Sequence, residues 1–217
     1  MASQHVEDYL KSIYRLQEGG GKVSTSSLSD WLGVSAPSVT EMIKKLADEG
    51  ILTHTPYKGV ELTAEGRKKA LKILRRHRLW ELFLVEVLKY PWHEIHEEAD
   101  LLEHSTSETL ERRLDEALGF PRMDPHGDAI PSSEGAIEHH RYKSLAQVEP
   151  GAAVTVARVN DSNSQVLQYV SRLGISLNRK IKVKERVAFD GSLRVEIGKR
   201  VQFVSAKLAS NIFVEEE

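Results

Sequence analysis

The N-terminal part of the chain carries amphipathic stretches separated by turn residues. Apolar side chains recur at helical spacing over residues 5–17, and the same period predicts a short helix over 26–32 and a longer one over 36–49. Ser35 is placed to cap the longer helix, and Pro37 lies in its first turn, where a backbone N–H has no helical partner to lose. Two helices joined by so tight a turn are typical of a helix-turn-helix.

Two short stretches with period-two alternation follow this pair of helices. Residues 51–54 and 60–63 predict strands, and residues 57–59 predict the turn between them, so the chain predicts a winged helix whose second helix enters a DNA major groove. Hydroxyls, small apolar groups and an acid at the start of that helix suit base edges, and nearby lysines suit phosphates. A winged helix that contacts proteins is the alternative. The predicted DNA-binding residues are Ser35, Ala36, Pro37, Ser38, Thr40, Glu41, Lys44, Lys45 and Lys58.

The rest of the chain predicts helices first and strands afterwards. A long helix is predicted over residues 64–89, a further helix begins at Pro91, and another covers 108–118. Proline, glycine and serine make residues 120–147 typical of a linker. Residues 148–217 alternate apolar and polar side chains in short runs, which predicts a small β-barrel that contains one helix. The predicted strands cover residues 153–159, 181–187, 193–197 and 201–204. The predicted fold class is therefore mainly α with a small β domain.

Composition narrows the range of functions. The chain has 217 residues, no cysteine and no apolar run long enough for a membrane span, which excludes disulfides and thiolate metal sites. The first 18 residues lack the apolar core of a signal peptide, so a cytoplasmic protein is expected. Residues 67–78 hold seven Lys or Arg and no acid, whereas residues 92–116 hold nine acids. The basic block suits a surface that binds a polyanion, and the acidic block suits a site that binds a cation. The alternative is that the two blocks lie on helices that pair their charges with each other.

A helix over residues 96–104 would present metal-binding side chains on one face. It carries His96, Asp100, Glu103 and His104 at i, i+4, i+7 and i+8. Converging imidazoles and carboxylates suit a borderline-to-hard divalent ion such as Mn²⁺ or Fe²⁺. The alternative is a solvated acidic face that happens to include two histidines.

Other histidines and acids extend this candidate site. His77 and Glu81 stand at i, i+4 on the long helix, so two helices could pack side by side and combine their ligands. Asp124 and His126 form a candidate pair on a loop, although such a sequence also occurs in ordinary turns. The two histidines of residues 93–96 are one residue too close for the His-Glu-x-x-His motif, so a zinc hydrolase is disfavoured.

Several short strings along the chain match one known family. They are EDYL at 7–10, VSAPSVT at 34–40, RHRL at 76–79 with Glu81, HEEADLLEH at 96–104, GFP at 119–121, PHG at 125–127 and IP at 130–131. Together they resemble the diphtheria-toxin-repressor family of metal-dependent regulators, over nearly the whole chain, and its manganese-responsive branch in particular. The resemblance implies a winged helix-turn-helix DNA-binding domain over 1–63, a helical metal-binding and dimerisation domain over 64–140, and an SH3-like domain, similar to ferrous iron transport A, over 148–217.

The resemblance also implies two metal ions in each protomer. Asp161 is our candidate for an acid that the SH3-like domain supplies to one of them, and His77 and His96 could join either site. The other implied ligands are Asp8, Asp100, Glu103 and His104 for one ion, and Glu81, Asp124 and His126, with Asp161, for the second.

Two departures from related sequences bear on the metal. The iron-sensing branch has Met and Cys where this chain has Asp8 and Asp100, and oxygen ligands favour Mn²⁺, although Fe²⁺ remains an alternative and Zn²⁺ or Co²⁺ can bind in vitro. Short manganese-sensing members carry Glu where this chain has Lys11. That difference argues against a two-ion cluster that uses the glutamate.

The implied function is a manganese-responsive repressor of metal-uptake genes. It would act as a homodimer on a palindromic double-stranded DNA operator, with no membrane partner and no catalysis. One alternative is a winged-helix regulator that responds to a non-metal ligand or a protein partner. Another is a metallohydrolase, which would leave the winged helix without a purpose. The C-terminal domain could be passive, bind a peptide or regulate the dimer.

Overall fold

The chain folds into two compact units. The computed structural model describes residues 4–18, 20–138 and 140–216. The first unit runs to Trp80 and adds Asp100–Leu114 and Ile130–Glu138. The second unit is formed by Glu81–Ala99, Asp115–Ala129 and the chain from residue 140 onwards. The segment predicted as one helical domain contributes to both units. Among the described residues, no helix is both long enough and apolar enough to cross a membrane.

The first unit begins with the predicted winged helix. Helices α1 (Gln4–Glu18), α2 (Thr25–Leu32) and α3 (Ala36–Asp48) precede strands β1 (Leu52–Thr55) and β2 (Gly59–Leu62). The two strands pair antiparallel, so they form the wing that the alternation predicts. The helix bounds agree with the predicted ones to within one residue, and both strands are displaced by one.

Local capping explains why the helix-turn-helix forms at these positions. The Ser24 side chain accepts a hydrogen bond from the backbone N–H of Ser27, and Ser35 does the same for Ser38 at the start of α3. Gly33 ends α2 in the left-handed region with φ of 65°, which glycine adopts at low cost. Ile13 of α1 is fully buried in the core that includes Leu46 of α3, so α1 shares its core with the winged helix.

Three further helices follow the wing. They are α4 (Ala64–Glu86), α5 (His96–Glu103) and α6 (Glu108–Ala117). The predicted long helix thus ends at Glu86, three residues early, and α5 begins at His96 and not at Pro91. Ser107 caps the start of α6, since its side chain accepts from the N–H of Leu110 at 3.2 Å.

The second unit is built on an antiparallel sheet. Six strands lie in the order β3-β8-β4-β5-β6-β7, and their hydrophobic core includes the fully buried Val154, Val183 and Val195. The elements are β3 (Lys143–Ser144), β4 (Ala153–Val159), α7 (Ser164–Arg172), β5 (Lys180–Arg186), β6 (Leu193–Ile197), β7 (Arg200–Val204), α8 (Ala206–Ala209) and β8 (Ile212–Glu216).

The sheet is open, which corrects the prediction of a closed barrel. In the described part of the chain, β3 and β7 each pair with a single neighbour. Closure would require these two edges to join, and β3 contains only two residues, which can offer few ladder hydrogen bonds. The sequence pattern identified β4 to β7 but not the short β3 or the final strand β8.

Candidate metal centres and DNA-binding surface

The first candidate metal centre lies in the first unit, where α1 meets the end of α5. Asp8, Glu103 and His104 each offer one ligand atom, and the three atoms lie within 4.8 Å of one another. Nε2 of His104 is 3.0 Å from Oδ1 of Asp8 and 3.4 Å from Oε1 of Glu103. The Glu103 side chain is fully buried, whereas that of Asp8 is one-third exposed. An imidazole nitrogen that faces two carboxylate oxygens is a suitable binding site for a divalent ion.

Glu7 orients the imidazole of this centre. Nδ1 of His104 lies 2.6 Å from Oε2 of Glu7, and a carboxylate can only accept, so Nδ1 carries the proton and donates. In the neutral ring, the lone pair is then on Nε2, which points towards Asp8 and Glu103. A carboxylate that fixes the tautomer of a ligating histidine is a common feature of metal sites. The sequence pattern does not identify Glu7 beside the candidate ligand Asp8, because adjacent residues on a helix point in different directions.

Lys11 and His77 occupy the other half of the same cluster. The Lys11 ammonium donates to Oδ1 of Asp100 and to Oε1 of Glu103, both at 2.6 Å. Nδ1 of His77 lies 2.6 Å from Oε2 of Glu103 and 3.2 Å from Oδ1 of Asp100. Asp100 therefore contacts Lys11 and His77. It lies beside the group of Asp8, Glu103 and His104 but supplies none of the three ligand atoms of that group.

The second candidate metal centre lies in the second unit. Two groups share Glu81, and within each group the ligand atoms lie within 4.8 Å of one another. Glu81, Asp124 and His126 are all buried, and His96 places Nδ1 at 3.2 Å from Oε1 of Glu81. The loop and helix acids that the family resemblance groups together are thus close in space. The two groups are Glu81 with Asp124 and His126, and Glu81 with His96 and Asp161.

The loop that supplies Asp124 and His126 is ordered, although its composition predicts a linker. Oδ1 of Asp124 accepts from the backbone N–H of His126 at 2.8 Å and of Asp128 at 2.9 Å, which closes a tight turn. The N–H of Val159 in β4 donates to the carbonyl of His126 at 2.9 Å. Gly127 has φ of 88°, and an added Cβ would lie 2.1 Å from the carbonyl oxygen of Ala157. A glycine is therefore required where the loop meets β4.

His126 has the hydrogen bonding of a ligand. Its Nε2 lies 2.9 Å from the carbonyl oxygen of Trp92, which can only accept, so Nε2 is the donor. Its Nδ1 is buried and has no hydrogen-bond partner among the described residues. Burial alone would lower the pKa of His126, but the carboxylates of Glu81, Asp124 and Asp161 outweigh it, so the pKa is raised. The site attracts positive charge, and its nitrogen and oxygen donors fit a divalent cation.

The predicted DNA-binding residues lie on the surface of the first unit. Every one of the nine is exposed, from Ser35 through the start of α3 to Lys58 in the wing turn. Two of the hydroxyls also serve the helix, because Ser35 caps α3 and Thr40 donates to the carbonyl of Ala36 at 2.8 Å. Tyr57, which the sequence did not single out, is fully exposed at the tip of the wing.

The basic block of α4 pairs with acids of α6. Nε of Arg75 and of Arg76 lie 3.1 and 2.8 Å from the carboxylate of Glu111, and Nζ of Lys72 lies 3.7 Å from Glu108. The charge segregation in the sequence thus reflects helices that pair their charges.

Three domain families match successive parts of the chain. The DNA-binding domain of iron-dependent repressors matches residues 1–60, and their metal-binding and dimerisation domain matches residues 63–132. The FeoA domain matches residues 143–216, which contain the open sheet.

Individual relatives agree with these matches. The iron-dependent repressor IdeR of Mycobacterium tuberculosis H37Rv is 31% identical over 190 residues, which cover 82% of this chain and 83% of IdeR. Among solved structures, a manganese-dependent transcriptional repressor in complex with manganese has a TM-score of 0.89 and 41% identity, covering 98% of this chain and all of that one. The structure of ScaR with bound Cd²⁺ has a TM-score of 0.82 and 35% identity, and the match covers 98% of this chain and 99% of the ScaR chain. The chain therefore belongs to the iron-dependent repressor family, whose members are DNA-binding transcriptional repressors and not enzymes.

Proposed function

We propose that this protein is a manganese-responsive repressor of metal-uptake genes, which binds a palindromic operator as a homodimer. The observation that carries the proposal is the group of Asp8, Glu103 and His104, whose ligand atoms converge around the fully buried Glu103. Asp8 belongs to α1, which shares its core with the winged helix, whereas Glu103 and His104 come from the end of α5. A divalent ion bound there would supply the positive charge that holds these three side chains together.

The chain's own residues explain why DNA binding would depend on that ion. Asp8 and Glu103 are like charges near one another, and the single ammonium of Lys11, which pairs with Glu103, does not neutralise both. A divalent cation therefore stabilises the packing of α1 against the end of α5. Once compensated, they fix the orientation of α1, and with it the exposed start of α3. A dimer needs its two α3 helices at the spacing of two half-sites, so this orientation controls operator affinity.

Manganese is proposed on the chemistry of the donors. The ten candidate ligands are carboxylates and imidazoles, and none is a thiolate or a thioether. Structural relatives include a repressor in complex with manganese, and also ScaR with bound Cd²⁺, so the family accommodates more than one divalent ion. Fe²⁺ is the competing physiological ion, and Zn²⁺ or Co²⁺ can substitute in vitro.

Two ions per protomer are proposed. One is held by Asp8, Glu103 and His104, and the second by Glu81 with residues of the loop and of the C-terminal domain, namely Asp124, His126 and Asp161. His96, at 3.2 Å from Glu81, joins the second site. Since Asp161 follows β4, the C-terminal domain, which we assign to the SH3-like type, takes part in metal binding and is not a passive appendage.

The test begins with full-length protein and DNA selected from a random duplex library in the presence of Mn²⁺. We expect inverted repeats among the selected sequences, and native mass spectrometry should show two protomers on each duplex. Fluorescence anisotropy at fixed salt then compares Mn²⁺ with EDTA, because phosphate contacts alone respond to salt. We expect chelation to weaken binding by roughly 100-fold. Equal affinity in Mn²⁺ and EDTA would contradict the proposal, and a stronger response to Fe²⁺ would contradict its assignment to manganese.

A further inference from the structure

We propose that the Lys11 ammonium is a built-in cation of the first metal centre, which takes the place of a second ion and limits this centre to one. The inference rests on the proposed function only in that it takes Asp8, Glu103 and His104 to be a metal site. It adds a role for a residue that is not itself a metal ligand.

The contacts of Lys11 are those of a bound cation. Lys11 is buried, with 8% of the residue exposed, and lysine is almost never buried unless it is paired. Its Nζ donates at 2.6 Å to carboxylates one turn apart on α5, Asp100 and Glu103. Both distances are slightly shorter than is usual for a charge-assisted hydrogen bond between an ammonium and a carboxylate.

The position of Lys11 divides the cluster into two halves. Oδ1 of Asp100 and Oε1 of Glu103 accept from Lys11, and Oε2 of Glu103 lies 2.6 Å from Nδ1 of His77. Protein donors thus already satisfy the half that contains Asp100 and His77. A second ion there would have to displace the ammonium. The half that contains Asp8 and His104 shares Oε1 of Glu103 with Lys11. Among the described residues, no ammonium contacts Asp8 or Nε2 of His104, so this half can still hold one ion.

The charge balance of the cluster also limits the first metal centre to one ion. The cluster holds four carboxylates, those of Glu7, Asp8, Asp100 and Glu103, and one ammonium. With neutral histidines, one divalent ion reduces the excess of negative charge to a single unit. If position 11 were glutamate, two divalent ions would be needed to reach the same residual charge. Lys11 therefore sets how many ions the centre can neutralise.

The test compares Lys11→Glu and Lys11→Met with Lys69→Glu, which changes an exposed lysine of α4 in the same unit. Equilibrium dialysis with elemental analysis counts Mn²⁺ per protomer, and electron paramagnetic resonance detects coupling between neighbouring ions. We expect two uncoupled ions in the unaltered protein and in Lys69→Glu. In Lys11→Glu we expect three, two of them coupled, and the added change Asp100→Ala should restore two.

Lys11→Met tests the role of the ammonium even if Lys11→Glu does not fold. Without the ammonium, Asp100 and Glu103 are uncompensated, so the metal-free protein should unfold at a temperature lower by about 5 °C or more. Mn²⁺ should then raise the unfolding temperature more than it does in the unaltered protein. A folded Lys11→Glu that binds two ions, or a Lys11→Met that is as stable as Lys69→Glu without metal, would overturn the inference. An unaltered protein that binds no Mn²⁺ would instead refute the proposed function.

Discussion

Nε2 of His104 lies 3.0 Å from Oδ1 of Asp8, and this contact joins α1 to the residue that follows α5. The two residues are 96 positions apart in the sequence, so only the fold brings them together. Because α1 packs in the same core as α3, a change at Asp8 can alter how the DNA-binding helix is held. The relationship therefore connects the candidate metal centre with the predicted DNA-binding surface inside one compact unit.

Asp8→Ala should abolish the manganese dependence of DNA binding and leave the protein folded. The side chain is one-third exposed, so its loss creates no cavity, and it removes one of several crowded negative charges. We expect anisotropy titrations to give the same weak affinity in Mn²⁺ and in EDTA, with an unchanged circular dichroism spectrum. Glu149→Ala, which removes an exposed acid of the second unit, is the control and should respond to Mn²⁺ normally. Normal manganese-dependent binding by Asp8→Ala would refute the link between α1 and the metal.

Glu7→Ala should weaken Mn²⁺ binding at the first centre by about 10- to 100-fold, which is typical when a carboxylate that orients a ligating histidine is lost. Without Glu7, the Nδ1 proton of His104 has no acceptor at 2.6 Å, and Nε2 is no longer held towards Asp8. Isothermal titration calorimetry should show that Mn²⁺ binds more weakly at one of the two sites and with unchanged affinity at the other. Glu7→Gln retains an acceptor oxygen and should recover part of the affinity. If Glu7→Ala bound Mn²⁺ as tightly as the unaltered protein, the orienting role would be wrong.

Much of the fold follows from local rules in the sequence. Ser24, Ser35 and Gly33 mark the helix ends of the helix-turn-helix, and the alternation over 153–159 matches β4 residue for residue. Such signals depend on neighbours along the chain, and the sequence contains those neighbours. Closure of the barrel does not follow from such signals, because whether two edge strands meet depends on the whole sheet.

The candidate site was predictable in its residue types but not in its contacts. A one-face helix pattern identifies Glu103 and His104, yet it cannot show that Lys11 of another helix donates to Glu103. Residues 120–147 have the composition of a linker, but Asp124 and His126 in that range are buried. Composition describes average behaviour, whereas this loop is ordered by particular hydrogen bonds to Asp124 and by the close approach of Gly127 to β4.

Gly127→Ala should destabilise the protein and weaken the second metal centre. The backbone φ of 88° disfavours any side chain, and the new Cβ would lie 2.1 Å from the carbonyl oxygen of Ala157, so the loop must move away from β4. We expect the free energy of unfolding to fall by about 2 kcal/mol or more in urea, and Mn²⁺ binding to fall to one tight ion. Gly151→Ala is the matched control, because its φ is 95° but no atom lies within 4 Å of the added Cβ. It should lose only about 1 kcal/mol. An equal loss of unfolding free energy in the two variants would show that the close approach of Gly127 to β4 does not contribute to stability.

Lys58→Ala should weaken DNA binding to a similar extent for every sequence. Lys58 is exposed in the turn between β1 and β2, where an ammonium can contact a phosphate but carries no information about the bases. We expect the slope of log Kd against log salt to decrease by about one for each protomer, because one phosphate contact is lost. Lys199→Ala removes an exposed lysine from the turn between β6 and β7 and should leave that slope unchanged. Anisotropy titrations on selected and scrambled duplexes, in saturating Mn²⁺, would measure both effects. An unchanged slope in Lys58→Ala, or a loss confined to the selected sequence, would exclude the wing lysine as a phosphate contact.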